Sequence, residues 1–292
     1  MSSDVDLLVN CYERTYRQVI RPGFFEGISG QVKDAFSSRY LLINNVNDPA
    51  DAGRRAEELR DSAEITDWAF VADLLPRALS ITHVSPSALR HAGYLVDYGL
   101  TMAVFGDAPY LVGWDAEVTL EHDYDWVSPG VELLQGEPRV FSVNQDWPTR
   151  GGPESTMRME SFGQAGPYFI NYGFCDQLFL VRRTDIATPI YRSFAPTVLA
   201  MRAEYPRTFE ARIESHQRTK RQVRATDSRV RYTHNDLSHP LERSGDMRGY
   251  RFFVYRSLRY SRRLLESTLP TGPRLRAYPP ASERRGSAWT WP

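Results

Sequence analysis

Short apolar segments alternate with longer amphipathic ones along the first part of the chain, and this alternation constrains the fold more than any other feature. Residues 5–9 (VDLLV), 39–43 (RYLLI), 68–71 and the run that follows Pro109 are short and apolar, as buried strands are. Between them, Pro22 stands at a first helical position with Phe25, Ile28, Val32 and Phe36 at helical spacing behind it. A second helix runs through Ala56 and Leu59, and Ser85-Pro86 opens a third in which Leu89, Ala92, Leu95, Leu100 and Ala103 recur on one face. Residues 10–14 are expected as the loop after the first strand, and the polar run 44–48 as the loop after the second. Repeats of this kind predict an α/β fold, a mostly parallel sheet flanked by helices, with ligands at the C-terminal ends of the strands.

The remainder of the chain extends the pattern without repeating it. A short helix to Leu134, strands over 139–143 and 178–181, helices over 195–203 and 209–223, and a closing segment 231–235 are expected; 147–166, rich in Gly, Pro, Ser and charge, is expected as a long loop. Residues 246–265 read as a basic amphipathic helix, with Phe253, Val254 and Leu258 on one side and Arg251, Arg256 and Arg259 on the other. Such a helix either packs on the main domain or lies on an anionic membrane surface. From Leu269 onward Pro and Arg dominate and periodicity stops. The expected division is a catalytic and binding domain over 1–240, the amphipathic appendage over 241–268 and a tail over 269–292.

Composition removes several classes of function. With 36 basic and 36 acidic residues the net charge is zero, so no global field draws the chain to nucleic acid. Cys11 and Cys175 are the only cysteines, which excludes a disulfide framework and a cysteine-rich zinc site. No basic leader precedes an apolar run and no stretch reaches membrane-spanning length, so a cytoplasmic protein is expected, peripheral at the membrane if 246–265 lies on it. Neither GxGxxG after the first strand nor GxxxxGKS/T occurs, which disfavours a dinucleotide site and a P-loop.

The apolar run Tyr110-Leu111-Val112-Gly113-Trp114 delivers Asp115 and, one residue further, Glu117. In an extended segment side chains at i and i+2 point the same way, so both carboxylates can face one divalent ion. Hard oxygen ligands suit Mg2+ or Mn2+, ions that commonly share their coordination with substrate phosphates. A solvated strand end is the plainer alternative.

These pieces together resemble the GT-A glycosyltransferases, family 2-like branch, over residues 5–235. The family's P-x-Y-N-R loop after its first strand is similar to Cys11-Tyr12-Glu13-Arg14, and its polar, Asp-containing loop after the second is similar to the run holding Asn45 and Asp48. The resemblance implies that both contact the nucleoside of the donor, with Trp114 beside them. Asp115-Ala116-Glu117 looks like the DxD motif, with Glu in place of the second Asp. A G-G-x-x-x-x-R-R segment looks like the stretch ending in Arg182-Arg183, although Phe174-Cys175 replaces Gly-Gly. Phe209-Glu210-Ala211 is similar to the W/F-E-D helix start, with Ala for Asp, and His234 looks like the closing histidine of the metal shell.

The resemblance implies a metal-dependent transfer of a sugar from a nucleotide diphosphate sugar to the hydroxyl of a glycan, protein or small-molecule acceptor, with inversion. Asp115, Glu117 and His234 would hold Mn2+ or Mg2+. Glu210, or Asp176 as its rival, would take the acceptor's proton. Arg182 and Arg183 would bind phosphate or acceptor. A catalytically degenerate carbohydrate-binding protein and a nucleotidyltransferase on a related fold are the alternatives.

Overall fold

The computed structural model describes residues 4–33, 36–89, 96–147, 161–193, 195, 198 and 208–234. The amphipathic segment 246–265, the tail 269–292, most of the expected helix 195–203 and most of the loop 147–166 lie outside the described residues. No helix among the described residues is long and apolar enough to cross a membrane.

The N-terminal half follows the expected strand order. β1 (Val5–Cys11), β2 (Ser38–Ile43), β3 (Asp67–Phe70) and β4 (Tyr110–Asp115) are parallel neighbours in the order β3-β2-β1-β4. Between them lie α1 (Tyr16–Val19), α2 (Phe24–Gln31), α3 (Pro49–Asp61), α4 (Val71–Thr82) and α5 (Asp97–Met102). The start of α3 is encoded locally: Asp48 accepts the Asp51 backbone N–H at 2.9 Å, and Pro49 takes a first-turn position where no N–H is needed. Ala52, Ala56 and Leu59, spaced by four and three, then meet the sheet.

The second half inverts part of this order. After β5 (Val118–Leu120) and α6 (Val127–Gly136) come β6 (Val140–Asp146), the hairpin β7 (Gly163–Ala165) and β8 (Tyr168–Asn171), β9 (Leu178–Arg182), α7 (Phe209–Lys220) and β10 (Val223–His234). β9 inserts antiparallel between β4 and β6, so β6, and β10 beside it, again run in the direction of β1. The ten-stranded sheet is thus mixed, with β3, β2, β1, β4, β6 and β10 all pointing at one edge.

Each face of the sheet is covered by helices. Val5, Leu7 and Val9 pack with Phe25 and Ile28 of α2, Ala56 and Leu59 of α3 and Leu134 of α6. Leu8, Leu42, Leu111 and Phe179 face the other way, against α4, Leu100 of α5 and Phe209 and Ile213 of α7. Burial on both faces is why these strands read as continuous apolar runs rather than alternating ones.

Several expectations need correction. β1 runs on through Asn10 and Cys11, so the loop begins only at Tyr12. Val71 opens α4 rather than closing β3. That helix carries no side-chain N-cap bond and has Pro76 inside it, two features that hide a helix in sequence. The helix expected from Ser85 opens as a 3-10 turn, Pro86–Leu89, and α5 starts at Asp97; residues 90–95 between them lie outside the described residues. Residues 231–234 of the closing segment belong to β10, a strand of 12 residues, and residue 235 lies outside the described residues.

Candidate functional site

The site lies at the edge where the parallel strands end. β4 stops at Asp115 and β5 starts at Val118, so Ala116 and Glu117 form the turn between them. The two carboxylates therefore converge through a turn, not through the strand alternation expected from their spacing. The Glu117 N–H donates to Asp115 Oδ1 at 2.8 Å, which fixes the Asp115 carboxylate over the turn.

His234 arrives from the far end of the chain. β10 bends after Asp227, where its register with β6 shifts, and its last residues pair antiparallel with β5, His234 opposite Val118. Its Nε2 lies 3.4 Å from Glu117 Oε2 and 3.9 Å from Asp115 Oδ1. One ligand atom from each of the three residues falls within 4.8 Å of the others. Two hard carboxylate oxygens and an imidazole nitrogen fit Mn2+ or Mg2+, the nitrogen favouring Mn2+. Desolvation raises the Asp115 carboxyl above its ordinary value, against the Glu117 N–H and the His234 charge; the neighbouring Glu117 carboxylate adds to the rise. A cation at this position would relieve that strain by pairing both carboxylates.

Three strand ends are stitched together beneath the triad. The Asp115 N–H donates to the Gln177 carbonyl at 2.7 Å, and the Tyr232 hydroxyl donates to Gln177 Oε1 at 2.9 Å. Cys175 Sγ lies 3.3 Å from the same hydroxyl. Burial, with the charges of Glu210 and Asp176 added, pushes the Cys175 thiol up to about 11, so it stays protonated at neutral pH.

Beside this lies a carboxylate pair. Thr208 caps α7 by accepting the Ala211 N–H at 3.2 Å, which sets Glu210 in the first turn. Glu210 Oε1 accepts the Asp176 N–H at 3.4 Å, and Asp176 Oδ2 accepts the Tyr98 hydroxyl at 2.6 Å. The two base candidates thus meet, although 34 residues separate them in the chain.

The loops after β1 and β2 occupy the same edge. Glu13 Oε2 accepts the Asn47 N–H at 2.7 Å and ties one loop to the other. Asn45 takes a left-handed conformation, φ 48°, and Asp48 caps α3, so the loop holding both is conformationally fixed. Tyr12 and Arg14 stand in the loop after β1. Cys11, by contrast, turns its side chain into the core, where burial pushes its thiol well up; only its backbone faces the edge, with its carbonyl accepting the Asn44 N–H at 2.8 Å. Trp114 is also a core side chain, and its Nε1 donates to the Val118 carbonyl at 3.1 Å across the turn.

Arg182 and Arg183 do not belong to this site, and the expectation that they bind phosphate or acceptor is corrected. The register pairs Arg182 with Tyr110, the first residue of β4, at the opposite edge of the sheet from Asp115. Arg182 donates to the carbonyls of Leu134, Val140 and Glu137 and pairs with Asp185 at 2.7 Å, closing the end of α6. Arg183 donates to the carbonyls of Met102, Phe105 and Ala108 and pairs with buried Asp6 at 2.6 Å.

Sequence reasoning missed Asn10, Asn44, Asp97 and Tyr98. Asn10 is the register partner of Asp115, and its buried Oδ1 has no partner among the described residues. Asn44 Nδ2 donates to Asp97 Oδ1 at 3.0 Å, joining the β2 loop to α5. Strand-end asparagines were a usable signal; Tyr98 offered none.

No family model matches the sequence, and no curated protein matches it. Solved structures to which the chain is similar in fold include two enzymes. Glucosyl-3-phosphoglycerate synthase from Mycobacterium tuberculosis, in complex with Mn2+, UDP and phosphoglyceric acid, shares 16% identity at a TM-score of 0.43, over 91% of this chain and 79% of that one. Mouse xyloside xylosyltransferase 1 shares 11% identity at 0.38, over 73% of this chain and 81% of its own. Identities this low and TM-scores below 0.5 leave the chemistry to be decided by the residues themselves.

Proposed function

We propose that the chain is a metal-dependent glycosyltransferase that uses a nucleotide diphosphate sugar. The observation that carries this reading is the convergence of Asp115, Glu117 and His234 at the strand-end edge. Asp176 and Glu210 lie beside that triad, tied to it through Gln177 and Tyr232. Asp115, Glu117 and His234 would hold a divalent cation, which would supply charge neutralisation and Lewis acidity for the diphosphate. The loops carrying Tyr12, Glu13, Arg14, Asn45 and Asp48 frame the nucleoside, and the triad end of the site receives the diphosphate.

Transfer breaks the bond between the sugar's anomeric carbon and the phosphate oxygen, and the electron pair leaves with the nucleoside diphosphate. The acceptor oxygen forms the new bond from the opposite face and gives its proton to Glu210, with inversion. Asp176 shapes the acceptor side. Holding both reactants on one rigid edge supplies the orientation that the bimolecular reaction otherwise lacks.

The test is incubation of the purified protein with UDP-, GDP- and dTDP-sugars in Mn2+. Release of the free nucleoside diphosphate supports sugar transfer or slow donor hydrolysis at this site. Pyrophosphate release from a nucleoside triphosphate instead would make the chain a nucleotidyltransferase, and neither release would make it a binding protein.

A further inference from the structure

Tyr98 touches Asp176 directly and packs on the residue before Glu210. Its hydroxyl lies 2.6 Å from Asp176 Oδ2, and its ring packs at 6.1 Å between centroids on Phe209, the residue before Glu210. The helices meet this closely because the next residue is Gly99: a Cβ there would stand 2.6 Å from the Phe209 ring. Asp97 holds the other end of the arrangement, its Oδ1 accepting the Tyr98 N–H at 2.7 Å and the Asn44 amide at 3.0 Å. Burial first, and the Asp176 charge next, keep the Tyr98 phenol well above its ordinary value, so it remains a donor.

We propose that Tyr98 is a positioning residue for the two carboxylates, holding the Asp176 side chain in one orientation while Glu210 receives the acceptor's proton. The inference rests on the glycosyltransferase reading. An O–H to carboxylate bond at this distance belongs to the strong, charge-assisted class and fixes the Asp176 rotamer. Asp176 in turn presents its N–H to Glu210 Oε1, so the orientation set by Tyr98 is passed to the base. Tyr98 itself exchanges no proton and makes no covalent bond in the reaction. Its effect appears only in the acceptor step, because nothing it touches holds the cation or the nucleoside.

The experiment compares full-length wild type, Tyr98→Phe, Asp176→Asn and the double variant. Tyr98→Phe is expected to lower kcat with acceptor by roughly 10- to 100-fold, the size of one hydrogen bond to a charged group, while UDP affinity in Mn2+ stays within about twofold. In the Asp176→Asn background the same substitution should add little, because its partner is already altered. A purely structural role would move UDP affinity and the thermal midpoint together and give additive losses; that pattern, unchanged turnover, or failure of Tyr98→Phe to fold would each overturn the proposal. Wild-type protein that releases no nucleoside diphosphate from any donor removes the glycosyltransferase reading and this inference together, whereas an active wild type with a silent Tyr98→Phe removes this inference alone.

Discussion

His234 Nε2 stands 3.4 Å from Glu117 Oε2 because the last residues of β10 pair with β5, the three-residue strand that follows the Glu117 turn. The imidazole is therefore placed by backbone pairing, independently of whether a cation is bound. His234→Ala should leave the fold intact and weaken Mn2+ binding at least about tenfold, as measured by electron paramagnetic resonance of free Mn2+. Unchanged Mn2+ affinity in that variant would take the imidazole out of the coordination shell.

Arg183 is predicted to act on stability alone. Removing its side chain leaves Asp6, 2% exposed, without its charged partner, although the Ala108 N–H still reaches it at 3.0 Å. Arg183→Ala should lower the unfolding free energy in denaturant by about 3–5 kcal/mol, the usual cost of breaking a buried pair. Mn2+ affinity of the folded fraction should not change, since the pair lies at the opposite edge of the sheet.

Asp97 gives a pH dependence. Burial raises its carboxyl above the ordinary value of 3.8, against the hydrogen bonds from Tyr98 and Asn44. A carboxyl whose folded value is raised contributes stability that is fully present below the unfolded value and lost as pH rises through the folded one. Asp97→Asn keeps an acceptor for both bonds and cannot ionise. Its thermal midpoint should therefore gain on wild type as pH climbs from 3.8 through the folded value, then hold a constant lead; parallel curves over that window would remove Asp97 as the source.

The base assignment has a matched pair of variants. Glu210→Gln keeps the size and much of the hydrogen bonding of the side chain but cannot take a proton, so kcat should fall by roughly 10² to 10⁴ with UDP binding nearly intact. Asp176→Asn should lose less. Near wild-type turnover in Glu210→Gln with a dead Asp176→Asn would exchange the two roles, and activity in both would favour a retaining mechanism without an enzymatic base.

The strand order up to β4 was legible because strands buried on both faces read as apolar runs, and α3 was legible because it carries its start signals, Asp48 and Pro49, in the sequence. The proximity of Asp115 and Glu117 was legible but for a partly mistaken reason, since they meet through a turn; His234 entered only through the family resemblance, because the sequence does not show that β5 and the end of β10 pair. Arg182 and Arg183 were misplaced because a pair of arginines at a strand end looks the same at either edge of a sheet. Only the insertion of β9 antiparallel to β4 puts them far from Asp115. Tyr98 could not have been found, since its role depends on a glycine contact between two helices distant in the chain.

The central claim is that Asp115, Glu117 and His234 bind a divalent cation through which a nucleoside diphosphate is held. Calorimetric titration of UDP into the full-length protein, once with Mn2+ and once with EDTA, tests it most directly, with GDP and dTDP run alongside because the base is not fixed by the triad. Binding of at least one nucleoside diphosphate in Mn2+, lost in EDTA and lost again in Asp115→Ala with Mn2+ present, is the predicted result. Equal affinity with Mn2+ and with EDTA, or full affinity in Asp115→Ala, would contradict it.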